Sequence, residues 1–126
     1  MNIPGNLKYT KDHEWIKVEA DYALVGITDF AQGELGDIVF VEIETLGEHL
    51  KQGDVFGTIE AVKTVSDLFL PVDGEVLQVN PNLNDSPESV NNDPYGMGWL
   101  IKIKPDNLKQ LDTLLDSSKY ADLIGT

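Results

Sequence analysis

Short runs of β-branched and apolar residues, broken repeatedly by Gly-acid turns, constrain the fold of this chain more than any other feature. The runs are Trp15-Ile16-Lys17-Val18-Glu19, Tyr22 to Ile27, Ile38 to Ile43, Val55 to Ile59, Val65 to Leu70, Val76 to Val79 and Leu100 to Ile103. Each has the composition of a strand. Ala20-Asp21, Gly36-Asp37, Leu46-Gly47, Gln52-Gly53-Asp54 and Val72-Asp73-Gly74 supply the breaks. No such run is stable alone, so neighbours must pair, and seven in succession predict an all-β sandwich or barrel.

Two segments have helical spacing instead. A Thr28 or Asp29 cap followed by Phe30, Ala31 and Leu35, with Gly36 as the stop, predicts a short helix near residues 28–35. Near residues 106–117, Leu108, Leu111, Leu114 and Leu115 follow Pro105 and the caps Asp106 and Asn107, which predicts a C-terminal amphipathic helix with Lys109, Asp112 and Asp116 outward. Asn80-Pro81-Asn82-Leu83-Asn84-Asp85-Ser86-Pro87 reads as an ordered surface loop, with one helical turn at Glu88 to Val90. Leu35-Gly36-Asp37-Ile38, Gln52-Gly53-Asp54-Val55 and Val72-Asp73-Gly74-Glu75-Val76 each put a Gly-acid turn before a strand. Two readings fit them: the ordinary liking of turns for Gly and Asp, or two similar halves of one barrel.

The 126 residues are enough for one domain with its own core and leave no room for a second catalytic domain. Nine lysines and no arginine stand against 22 acidic residues, a formal charge of −13. Such a chain repels phosphate backbones and anionic lipid and has no guanidinium to grip a phosphate, so neither nucleic acid nor membrane is expected as a partner. No cysteine is present. Disulfides, thiolate metal sites and thiol nucleophiles on the unmodified chain are therefore excluded, and any sulfur chemistry has to be imported. Met1 to Lys8 has neither the apolar core of a secretory signal nor an Arg-rich transit pattern, and Ile38-Val39-Phe40-Val41 is far too short to span a bilayer. A cytoplasmic location is the expectation.

The chemistry concentrates between Asp54 and Val79. One strand ends at Ile59-Glu60-Ala61 and the next starts at Thr64 or Val65, which sets Lys63 on the tip of a tight hairpin. A turn lysine ordinarily does no more than keep a hairpin soluble. Its amine is also the side-chain group that forms a stable amide with an activated carboxylic acid once deprotonated, and a hairpin tip can be recognised by shape and can swing a long arm.

The flanking residues favour the second role. Gly53-Asp54, Glu60-Ala61-Val62-Lys63-Thr64-Val65, Ser66-Asp67 and Pro71-Val72-Asp73-Gly74-Glu75-Val76 resemble the lipoyl attachment region of the glycine cleavage system H protein family. Leu7 to Trp15, Val25 to Gln32, Leu35 to Val41 and Asn92 to Ile103 look like further blocks of that family in its order, so the resemblance covers nearly the whole chain. Biotin carriers typically set the acceptor lysine between methionines, and the lipoyl domains of 2-oxoacid dehydrogenases usually carry Asp-Lys-Ala; here the triplet is Val62-Lys63-Thr64.

The resemblance implies a mainly β fold: a flattened barrel-sandwich of lipoyl or biotinyl type with two antiparallel sheets. It implies one domain over residues 1–126, with the lipoyl hairpin at about 54–79. It further implies (R)-lipoate in amide linkage to Lys63, attached by a lipoyl or octanoyl transferase or ligase. A pyridoxal-phosphate glycine decarboxylase would load an aminomethyl group on the arm. A tetrahydrofolate-dependent aminomethyltransferase would unload it, and dihydrolipoyl dehydrogenase would reoxidise the dithiol. The chain is then a non-catalytic carrier, expected to be monomeric. The alternative is an H-like relay that supplies lipoyl groups to 2-oxoacid dehydrogenases.

A cleft on the carrier is expected to shelter the loaded arm, and its protonated amine calls for carboxylates, with Glu14, Asp67 and Glu34 as the candidates. Glu60 is assigned to recognition by the modifying enzyme. His13 and His49 read as surface or packing residues, since the side chains of Asp12, His13 and Glu14 diverge too far to form a metal site. Gly96-Met97-Gly98 lacks the lysine and hydroxyl of a phosphate loop and reads as the bend into the Trp99 strand, with Tyr95 and Trp99 packing inward.

Overall fold

Alternation along the apolar runs gives each strand one face to bury, and the chain satisfies all of them with two stacked sheets. The computed structural model describes all residues, Met1–Thr126. Its strands are β1 (Lys8–Tyr9), β2 (Glu14–Val18), β3 (Ala23–Ile27), β4 (Ile38–Glu42), β5 (His49–Leu50), β6 (Val55–Ala61), β7 (Val65–Phe69), β8 (Gly74–Val79) and β9 (Ile101–Pro105). Six form one sheet in the order β1-β2-β3-β9-β8-β5, and three form the other in the order β4-β6-β7. Every pairing is antiparallel, and the sheets stay separate layers that do not close into a barrel. The expected strands are all present, shifted by a residue or two; β1 and β5, two residues each, are too short to leave a sequence pattern.

Between the layers lies a core of 17 buried residues to which both sheets contribute, among them Ile16, Val25, Val76, Ile101 and Ile103 from one and Ile38, Phe56, Ile59 and Leu68 from the other. Burying each such side chain stabilises the fold by roughly 1.5–3 kcal/mol. A second cluster of Leu7, Tyr9, Trp15 and Tyr120 sits at the end where the chain termini meet. There Trp15 lies across Gly26, its register partner in β3, so closely that a Cβ on residue 26 would come within 2.7 Å of the indole. The indole N–H donates to the Pro94 carbonyl at 3.0 Å, which fixes the ring in that slot. Tyr95 and Trp99 pack against this cluster, as expected.

Helix α1 (Asp29–Leu35) runs where the sequence predicts, with the Thr28 hydroxyl accepting the Ala31 N–H at 3.1 Å and Gly36 ending it at φ 82°. Gly53 has a similar positive φ of 89°, so two of the three Gly-acid turns place their glycine at positive φ. Gly74 does not. It lies inside β8, so the apparent repeat covers two turns and not three. The surface loop after β8 contains a 3-10 turn at Pro81–Leu83 and a short helix α2 (Ser89–Asn92), and Asn80 Nδ2 ties it down through the Met97 and Trp99 carbonyls, each at 2.8 Å.

The C-terminal helix expected near residues 106–117 is not there. Leu108–Thr113 forms a 3-10 helix, Leu114 is extended, and the α-helix α3 runs from Ser117 to Ile124. The cause is long-range: the N–H of Leu115 donates to the Tyr9 carbonyl at 2.9 Å, and the Leu115 carbonyl accepts the Tyr9 N–H in return at 2.8 Å. That pairing holds the backbone extended, and Asp116, whose side chain accepts the Lys119 N–H at 2.8 Å, restarts it as a helix. Three of the four leucines still face inward, Leu111 and Leu114 on the main core and Leu115 on the second cluster, whereas Leu108 is exposed.

Candidate functional site

The turn between β6 and β7 closes with the Ala61 N–H donating to the Thr64 carbonyl at 2.8 Å, which leaves Val62 and Lys63 as its central residues. Val62 donates its N–H to the Asp37 carbonyl at 3.0 Å, so the tip is braced against the start of β4. Lys63 is exposed and forms no ion pair. Its stem lies over Gly36 at the end of α1, with Cε 3.4 Å and Nζ 3.8 Å from where a Cβ on that glycine would stand. The lysine stem thus passes beside the end of the helix without crowding that position, and its charge sits at the negative end of the helix.

Next to the hairpin, α1, the start of β2 and strand β7 enclose a cleft of about 220 Å³. Ile27, Phe30, Ala31, Leu35, Ile59 and Leu68 supply its apolar lining, and Asp12, Glu14, Glu34 and Asp67 its acids. Glu14, Glu34 and Asp67, widely separated in sequence, therefore line one cavity. Glu34 and Asp67 are exposed at the rim, whereas Glu14 is buried at the base.

Glu14 is held by two hydrogen bonds: Thr10 Oγ1 donates to Oε1 at 3.0 Å and the Phe69 N–H donates to Oε2 at 3.1 Å. Both favour the ionised carboxylate, yet burial outweighs them and pushes the carboxyl up to about 8. Near neutral pH the base of the cleft is largely an uncharged acid, ready to ionise when a cation enters. Glu14 also lines a second cleft of about 220 Å³ with Thr10, Lys11, Gln52 and Thr113, so it stands between two surface depressions.

His13 lines the first cleft, with its backbone in the left-handed region at φ 68°. Its Nδ1 lies 2.9 Å from the Tyr120 hydroxyl, which lies 2.7 Å from Thr28 Oγ1. Burial lowers the imidazole against the opposing pull of Asp12 and Glu34, which favours the neutral ring. The reading of His13 as a packing residue stands, but the packing is specific: through Tyr120 it links α3, the cap of α1 and the cleft wall.

Asn91 of α2 was not anticipated either. Its Nδ2 donates to the Gly36 carbonyl and to Gln32 Oε1, both at 2.9 Å, and its Oδ1 accepts the Ile38 N–H at 2.9 Å. It thereby pins the junction of α1 and β4 on which Lys63 rests. No local pattern marks Tyr120 or Asn91, whose partners are all distant in sequence. His49 pairs with Asp106 on the surface, far from this cleft in the chain, and no group of histidines and acids is spaced to hold a metal ion.

A two-layer β sandwich that offers one unpaired lysine on a hairpin tip, beside a cleft of apolar and acidic residues, belongs to the class of β carrier domains. Residues 7–126 match the family described as Glycine cleavage H-protein. The chain is 63% identical over 125 residues to the glycine cleavage system H protein of Bacteroides fragilis and 61% identical over 127 residues to that of Chlorobium limicola, in each case over 99% of both chains. The crystal structure of a glycine cleavage system H protein from Mycobacterium marinum superposes with a TM-score of 0.89 at 41% identity, covering 98% of this chain and 100% of that one. The chain belongs to the glycine cleavage H-protein family.

Proposed function

We propose that this protein is the lipoyl-bearing carrier of the glycine cleavage system, with (R)-lipoate joined to Lys63 Nζ as an amide. The observation that carries the reading is the position of Lys63, unpaired on a braced hairpin turn and adjoining a cleft with an apolar lining and a carboxylate rim. Attack of the neutral amine on an activated acyl carbon forms the C–N bond and expels the activating group; the proton lost from nitrogen passes to solvent or to that leaving group. An exposed turn lysine meets the steric needs of such an attack.

When attached, lipoate supplies a disulfide that opens on accepting a carbon nucleophile and re-forms on oxidation of the dithiol. The protein's own part is shelter and electrostatics. Phe30, Ala31, Leu35 and Leu68 offer an apolar wall to the methylene chain, which keeps water from the sulfur end. With the arm attached, Glu34 and Asp67 at the rim would attract a protonated amine on it, and Glu14 at the base could ionise to balance that charge. The protein shuttles this group from the pyridoxal-phosphate decarboxylase to the tetrahydrofolate-dependent aminomethyltransferase, and dihydrolipoyl dehydrogenase resets it. It works as a monomer in the cytoplasm and does no chemistry unaided.

Intact mass of protein made in a lipoylation-competent host tests the attachment. A lipoyl mass increment is expected, and it must vanish in Lys63→Ala; no increment under lipoate excess, or one that survives the substitution, refutes it. The loaded protein should then support glycine-dependent CO2 exchange with the decarboxylase. Failure there, with lipoyl transfer to 2-oxoacid dehydrogenases retained, assigns it to lipoyl relay.

A further inference from the structure

Strand β4 carries an irregularity close to the lysine hairpin. Its register against β6 slips between Ile38 and Phe40, and the bulge leaves Val39 and Phe40 both outward, 46% and 51% exposed, where regular alternation would bury one. Phe40 pairs with Glu60 and Glu60 with Val65, so these three side chains run in one row across the outer face of the β4-β6-β7 sheet. Glu42, Thr58 and Asp67 form the next outward row. Val65 and Val62, 62% and 74% exposed, extend the apolar strip to the hairpin tip. Large apolar side chains left in water add nothing to folding, and gathered beside a functional lysine they have the make-up of an interface core.

We propose that this face, with Val39 and Phe40 as apolar anchors, seats the enzyme that acylates Lys63; the proposal rests on the reading that Lys63 is the attachment residue. Reach singles out the occupant. An acylating enzyme must bring an activated carboxyl into bonding contact with Nζ, so it has to cover the residues flanking the tip. Proteins that meet the finished arm can stand off by its length. Charge narrows the chemistry: the three strands hold no lysine, Glu60 stands within the row between Phe40 and Val65, and Glu42 and Asp67 border it. The seat therefore fits an apolar depression with a lysine- or arginine-rich rim. Covering the tip also gives that enzyme the means to lift Lys63 from its rest over Gly36.

The test uses the purified unmodified full chain, a lipoate–protein ligase, lipoate and ATP. The initial rate of the mass increment is read at carrier concentrations well below saturation. Phe40→Ser and Val39→Ser are expected to lower kcat/KM about tenfold or more, chiefly through KM, while Leu77→Ser, at a similarly exposed position on β8, leaves it unchanged. Glu60→Lys is expected to raise KM and to reverse its dependence on salt. Rates within about twofold of wild type for both anchor variants overturn the proposal, as does an equal loss in Leu77→Ser. If circular dichroism shows an anchor variant unfolded, Glu60→Lys decides, and a wild-type KM there overturns it. A wild-type chain that gains no mass at Lys63 refutes the attachment reading itself, a result distinct from all of these.

Discussion

Glu14 reaches from β2 to accept the backbone N–H of Phe69 at 3.1 Å, so a side chain and not a strand closes this point on the free edge of β7. The contact joins the two sheets beside the cleft, and it places a carboxyl where burial raises it from an ordinary 4.5 to about 8. Between those values the folded protein keeps a proton that the unfolded chain releases. Stability due to this group is therefore full below about pH 4.5 and is lost as pH rises through about 8. Urea unfolding is expected to show a decline on the order of a few kcal/mol from about pH 5 to about pH 8. Glu14→Gln should flatten that slope, since the amide can still accept from Phe69 and donate to Thr10. An unchanged slope in the variant would falsify the assignment.

Tyr120→Phe removes the hydroxyl shared by Thr28 and His13 while leaving the stacked ring, 4.7 Å from that of Tyr9, in place. Two buried or half-buried polar atoms then lose a partner, a cost of about 1–3 kcal/mol. Amide exchange should quicken at Ala31, whose N–H bonds to the Thr28 hydroxyl. A double cycle with Thr28→Ala measures the coupling, and strict additivity would show that the hydroxyls act independently.

Gly26→Ala would drive a methyl into the Trp15 indole. The ring must tilt or the strands part, either way at the expense of the bond to the Pro94 carbonyl. A loss of about 1–3 kcal/mol is expected, with a change in the near-UV dichroism that reports tryptophan packing. Unchanged stability and spectrum together would mean that the indole is not wedged there.

Lys63→Ala should be silent in stability, within about 0.5 kcal/mol, because the side chain is exposed and unpaired. The same variant should gain no lipoyl mass. A marked fall in the unfolding midpoint would give the lysine a structural role at the helix end and weaken the attachment reading.

The amino-acid sequence by itself determined the local parts: the strands from alternation, α1 from its Thr28 cap and Gly36 stop, and Lys63 as the tip of a hairpin. These are legible because they arise from contacts between near neighbours, where period, turn residues and capping atoms are all written in a few consecutive positions. The family resemblance also named Glu14, Glu34 and Asp67 as candidates for one cleft. Only the tertiary structure showed all three lining one cleft and set them apart from each other, two exposed at the rim and one buried with its carboxyl pushed up to about 8. Desolvation depends on what packs around a residue, and the neighbours of Glu14 come from Thr10 and the distant Phe69. The C-terminal leucines show the same division. Their spacing suits a helix, but the pairing of Leu115 with Tyr9 draws the backbone out and moves the helix onward to Ser117–Ile124, because a two-way backbone hydrogen-bond pair outweighs a modest local propensity.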